Sequence, residues 1–203
     1  MSFIEGAGEG GWKYSGICVG SDGRLYCTPY SASAVLVIDP GTQTLSFIEG
    51  AGKDGWKCTE ICAGPDGRLS CAPCDASAML VIDPETQTVS FIEGAGEGGQ
   101  KYFGICAGPD GRLYCAPYDA SAVLVIDPEM RKLSFIAVAG SGGQKYSSIC
   151  MAPNGVLHCA PHGAASILSL RPFSESVIWE SVTAAGGRNF ERLIRESVDQ
   201  AGT

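Results

Sequence analysis

Hydrophobic and polar positions alternate along the chain in short bursts, and the bursts repeat. Residues 90–133 show the unit most clearly. Four apolar runs, Gly104-Ile105-Cys106-Ala107, Arg112-Leu113-Tyr114-Cys115-Ala116, Ala122-Val123-Leu124-Val125-Ile126-Asp127 and Leu133-Ser134-Phe135-Ile136, are bounded by Gly, Pro, Asp or Ser. Short runs rich in β-branched and aromatic residues between turn formers predict strands. The third run is apolar on both faces, as a strand covered on both sides must be. Ser2-Phe3-Ile4-Glu5-Gly6-Ala7-Gly8 returns at Ser46 and Ser90, and in weaker form at Ser134, a fixed period of 44 residues. Such a period marks a repeat architecture, in which each unit buries its face on its neighbours.

Pro109-Asp110-Gly111 joins the first two strands of this unit. Pro and Asp suit the centre of a type I turn and Gly the left-handed residue after it, which predicts a three-residue hairpin. That turn sets Ala107 against Leu113 and Ile105 against Cys115, and by extension Tyr14 against Tyr30 and Tyr102 against Tyr118. Four antiparallel strands in one repeat make a β-propeller blade. The expected fold is therefore all-β: a propeller of four four-stranded blades from repeats 2–45, 46–89, 90–133 and 134–177, with a closing strand to 182. Residues 2–5 read as a surplus outer strand, free to pair with the last blade or with another chain. In the tail, 183–203, Phe190, Leu193, Ile194 and Val198 fall at helical spacing after Asn189, predicting a short amphipathic helix.

Gly-Ile-Cys-Ala-Gly-Pro-Asp-Gly-Arg-Leu-Tyr at 104–114, followed by Val-Leu-Val-Ile-Asp-Pro-Glu at 123–129, resembles blades of the NHL and YVTN propeller families and of gluconolactonase-like propellers. The resemblance spans residues 2 to about 182 and implies the blade. These families include binding modules and lactonases. The lactonase type holds a metal with Glu, Asp and Asn, whereas this chain has only Asn154, in a turn, and Asn189, in the tail. That site is not carried over, and no catalytic residue, metal or cofactor is assigned. Three forms of closure stay open: a four-bladed ring, an eight-bladed ring from two chains, or part of a longer array.

The formal net charge of −8 repels phosphate backbones, so no nucleic acid is expected as a partner. No apolar run approaches the roughly 20 residues of a membrane helix. The N-terminus lacks the basic and apolar parts of a signal peptide, so a cytoplasmic location with reduced thiols is expected. Eight of the 10 cysteines recur in phase (Cys18, Cys62, Cys106, Cys150; Cys27, Cys71, Cys115, Cys159), as small buried apolar residues copied with the repeat would.

Gly6-Ala7-Gly8-Glu9-Gly10-Gly11 matches a dinucleotide fingerprint in letters only, because a strand and not a helix follows. More informative are the loops gathered at one end of the blades. They bring Lys13, Lys57, Lys101 and Lys145 beside Tyr14, Tyr102, Tyr146, Tyr30, Tyr118 and His162, with Asp75 and Asp119 adjacent. Aromatic faces beside lysines form a candidate mouth for a small anionic or sugar-like ligand. In the second repeat both aromatic positions become cysteine, and the expected register would allow a Cys58–Cys74 disulfide. His158 and His162 could pair on a metal but lack a third ligand of their own. The leading expectation is a non-catalytic binding or assembly scaffold for a protein or small molecule. The alternatives are a lactonase- or hydrolase-type enzyme with a channel site, and a piece of a longer array. Homodimerisation through the surplus N-terminal strand is a further expectation.

Overall fold

The computed structural model describes residues 3–137 and 142–172, with the backbone of 178–179. Its strands form four antiparallel meanders. The first contains β1 (Tyr14–Val19), β2 (Leu25–Pro29), β3 (Ala34–Asp39) and β4 (Thr44–Glu49). The second contains β5 (Cys58–Ala63), β6 (Leu69–Pro73), β7 (Ala78–Asp83) and β8 (Thr88–Glu93). The third contains β9 (Tyr102–Ala107), β10 (Leu113–Pro117), β11 (Ala122–Asp127) and β12 (Lys132–Ala137). The fourth contains β13 (Tyr146–Met151), β14 (Leu157–Pro161), β15 (Leu168–Arg171) and β16 (Ile178–Trp179). The expected helix lies outside the described residues.

The hairpin behaves as its turn residues dictate. Gly111 has φ +78° and the Gly108 amide donates to Arg112 O at 2.8 Å, with Ala107 opposite Leu113 and Ile105 opposite Cys115. Each first hairpin then departs from the sequence-based register. A bulge after the first strand residue sets Tyr14 against Pro29, Cys58 against Pro73, Tyr102 against Pro117 and Tyr146 against Pro161. The extra residue shifts pairing by one, so the expected Tyr14–Tyr30 and Tyr102–Tyr118 oppositions do not form.

The core lies between blades, not within them. Tyr26, Val35 and Val37 of the first blade pack on Ile61, Leu69, Leu80 and Ile82 of the second. Met79 and Val81 pack on Ile105, Leu113 and Ile126, and Tyr114, Val123 and Val125 on Ile149, Leu157 and Leu170. Among the described residues no such cluster joins the fourth blade to the first. Among the described residues the four blades form an open arc. Residues 3–13 form no strand, and Gly6 instead lies over Leu45, as Gly50 lies over Val89 one blade on.

A backbone chain stitches the blades along one rim. Lys13 O accepts from Tyr30 N, Tyr30 O from Lys57 N, Lys57 O from Cys74 N, and Cys74 O from Lys101 N. It continues through Tyr118 and Lys145 to His162 N, each link 2.8–3.0 Å long.

Candidate rim site

The residue before each rim lysine is Trp12, Trp56, Gln100 or Gln144, and all four have a left-handed backbone, φ 50–57°. This turns their side chains out of the glycine-rich loops and onto the rim surface. Trp56 packs on Tyr30 of the preceding blade, ring centres 5.6 Å apart, and Trp12 lies 6.5 Å from the same tyrosine. Further along, Phe103 stacks on Tyr118 at 3.9 Å, and His162 tilts against Tyr118 at 5.3 Å.

Between these aromatic groups lies an open depression of about 490 Å³ lined by Gly55, Trp56, Asp75, Gly99, Gln100 and Asp119. Asp75 Oδ1 accepts the Gln100 amide at 2.7 Å, and Asp119 Oδ1 accepts the Gln144 amide at 2.5 Å. A Cβ on Gly99 or Gly143 would stand 3.1 or 2.6 Å from the carboxylate oxygen, so glycine is what lets each loop close on the acid. Both aspartates remain exposed at the surface of the depression.

The lysines are placed differently from the aromatic and acidic groups. Lys57, Lys101 and Lys145 are buried. Their ammonium groups donate to the carbonyls of Asp54 (2.5 Å), Gly98 (2.9 Å) and Gly142 (2.9 Å) in their own loops. Lys13 Nζ donates likewise to Gly8 O. Burial lowers the pKa of Lys57, Lys101 and Lys145. These cations brace the loops and are not presented to a ligand. Tyr102 and Tyr146 are also buried, and Tyr14 is half-buried beneath the rim. Of the residues singled out from the sequence, Tyr30, Asp75, Tyr118, Asp119 and His162 reach the rim network. Trp12, Trp56, Gln100 and Phe103 were not singled out, although the tryptophans stand in register immediately before Lys13 and Lys57.

Cys58 and Cys74 do not meet. Cys58 joins Cys71 in the core between the first two blades, whereas Cys74 neighbours Asp75, Gln100 and Lys101 toward the third. Both thiols are free. Burial pushes Cys62 up to about 11 and Cys74 and Cys159 to about 12, which leaves them protonated and poorly nucleophilic near neutral pH. His158 Nδ1 pairs with Ser169 Oγ at 2.9 Å. Among the described residues no group of three His, Cys, Asp or Glu side chains is placed to hold a metal ion. The innermost strands β1, β5, β9 and β13 carry one carboxylate, Glu60, whose pKa burial raises.

No protein-family model matches the chain, and no curated protein matches it. Solved structures do match. Virginiamycin B lyase from Staphylococcus aureus superposes with a TM-score of 0.69 at 14% identity, over 85% of this chain and 57% of that one. A putative 6-phosphogluconolactonase from Bacteroides uniformis gives 0.61 at 16% identity, over 83% and 53%. An auxiliary nutrient binding protein from Bacteroides thetaiotaomicron gives 0.60 at 14% identity, over 81% and 40%. The fold is that of a β-propeller, shared by proteins named as enzymes and as binders. This chain spans little more than half the length of the lyase.

Proposed function

We propose that the protein is a non-catalytic binding module whose rim takes a small, neutral, sugar-like ligand. One observation carries this reading: Trp56, 48% exposed and backed by Tyr30, borders the same depression as Asp75, Gln100 and Asp119. An indole face suits the C–H face of a sugar ring, while carboxylates and an amide accept and donate to its hydroxyls. The anionic ligand expected from the lysines is not part of this proposal. Their ammonium groups are bound to loop carbonyls, and two carboxylates line the depression.

The test is isothermal titration calorimetry with cellobiose, maltose and lactose. Saturable binding is expected with at least one of them. Trp56→Ala should abolish binding, and Asp75→Asn should weaken it about tenfold, the effect of replacing a charged acceptor by a neutral one. Trp12→Ala should leave it unchanged. Binding that survives Trp56→Ala, or no response to the whole panel, would defeat the reading. A channel enzyme of lactonase or hydrolase type is the second reading, favoured by Glu60. It predicts turnover of a lactone such as δ-gluconolactone that Glu60→Gln removes.

A further inference from the structure

The two ends of the arc carry the two halves of an interface that the molecule already makes three times. Among the described residues, no blade covers the face of the first blade that would meet a preceding one. Ile17 is 57% exposed, whereas Ile61, Ile105 and Ile149 at the same register position are 6–7% exposed. On the fourth blade, among the described residues, no blade covers the opposite face. Ile167 is 52% exposed, whereas Val35, Met79 and Val123 at its position are completely buried by the blade that follows.

Polar groups are divided between the ends in the same way. The rim chain of backbone hydrogen bonds begins at Lys13, whose carbonyl takes part, and stops at His162, whose amide takes part. Among the described residues, the Lys13 amide and the His162 carbonyl have no backbone partner. At each internal junction these are the groups that bond to one another. Trp12, 83% exposed, is likewise at the position where Trp56 packs on the preceding blade's Tyr30. Gln43 has the position and left-handed backbone of Gln87, whose amide donates to Tyr26 across the first junction at 2.5 Å. His158 stands at the position of Tyr26.

We propose that a second copy of this chain closes the ring: the fourth blade of each copy packs on the first blade of the other, giving an eight-bladed propeller with two identical junctions. Ile167 of one copy covers Ile17 of the other, and the Lys13 amide of one donates to the His162 carbonyl of the other. Trp12 stacks near His162, and Gln43 meets His158. The contact is head-to-tail at each junction, and the two-fold axis closes it after two chains. Eight blades fall within the usual propeller range. The pairing does not use the expected surplus strand, residues 2–5, as an exchanged strand, and it stands independently of the sugar-binding reading.

Sedimentation velocity and light scattering on the intact chain, over a concentration series, test this. A single species at twice the 21.1 kDa chain mass is expected. Ile17→Asp and Ile167→Asp should each give a monomer with an unchanged far-ultraviolet circular dichroism spectrum. An equimolar mixture of the two variants should recover a dimer, because one junction then keeps both natural faces. A symmetric face-to-face dimer would not be rescued in this way. If either variant fails to fold, hydrogen exchange on the unmodified chain decides: the Lys13 amide should be protected at dimer concentrations and exchange freely on dilution. A monomer at every concentration, a mass above the dimer, a dimer that survives both substitutions, or an unprotected Lys13 amide overturns the proposal.

Discussion

A Cβ on Gly104 would stand 2.7 Å from the Cα of Ser148 and 2.9 Å from the amide nitrogen of Ile149, both backbone atoms of the next blade. Neither can move without displacing β13. Gly104→Ala should therefore cost about 2–3 kcal/mol, as overpacking in a rigid core does. Gly111→Ala offers a contrast. Its added carbon finds nothing nearer than 3.8 Å, but φ is +78°, so only backbone strain of about 1 kcal/mol is expected. Urea unfolding of the two variants measures the difference. Single residues were also where the sequence misled. Lys57, Lys101 and Lys145 recur beside aromatic positions, which suits a ligand mouth and an internal brace equally well. Only the direction of each side chain separates the two, and repetition copies both kinds of residue. Trp12 and Trp56 escaped notice because their exposure follows from a left-handed backbone that tryptophan rarely adopts.

Strands and hairpins were far more legible. The four runs in residues 104–136 lie within a residue or two of β9 to β12, because turn formers bound every strand. Pro109-Asp110-Gly111 set the register at Ile105 and Cys115 for the same reason. The bulge beyond Ile105 was not legible. No turn former or glycine specific to that position announces it, since the bulge recurs in all four blades with Ser15-Gly16, Thr59-Glu60, Phe103-Gly104 and Ser147-Ser148 at the site. Adjacent inner strands are joined by hydroxyls as well as by packing: Thr59 Oγ1 donates toward Tyr102 O (3.0 Å) and Phe103 O (2.9 Å), and Ser15 Oγ toward Cys58 O (3.0 Å). Thr59→Val keeps the shape and removes the donor. It should destabilise by about 1–2 kcal/mol, the penalty of leaving buried acceptors unpaired, read from the urea midpoint. Ser15→Ala, at a more exposed site, should cost less.

For the whole molecule, titration follows from how much of the core is thiol and phenol. Burial raises Cys62 to about 11, and Cys74, Cys159 and Tyr26 to about 12, from ordinary values of 9.0 and 10.0. As pH rises from about 9 to 12 the unfolded chain releases these protons first while the folded chain holds them. Stability is full below that window and falls through it. Lys57, Lys101 and Lys145 act in the opposite sense, since their lowered pKa values let the folded state shed a proton earlier. They are outnumbered, so the urea midpoint should drop between about pH 8 and pH 11. A midpoint that rises would mean the buried lysines dominate. The period of 44 residues made the blades legible at this scale. It could not show that the arc stays open, because repeated residues look the same whether a neighbour covers them or not.

Near-identity of the blade faces has a kinetic consequence. Because Ile61, Ile105 and Ile149 each meet a similar wall, a folding chain that docks the second blade where the third belongs meets little immediate resistance. Such off-by-one arrangements loop out a whole repeat and must reopen before the native order forms. Differences between copies, such as Glu60 where Gly16 and Gly104 stand, and Ser70 where Tyr26 and Tyr114 stand, give each blade an address that distinguishes its proper neighbour.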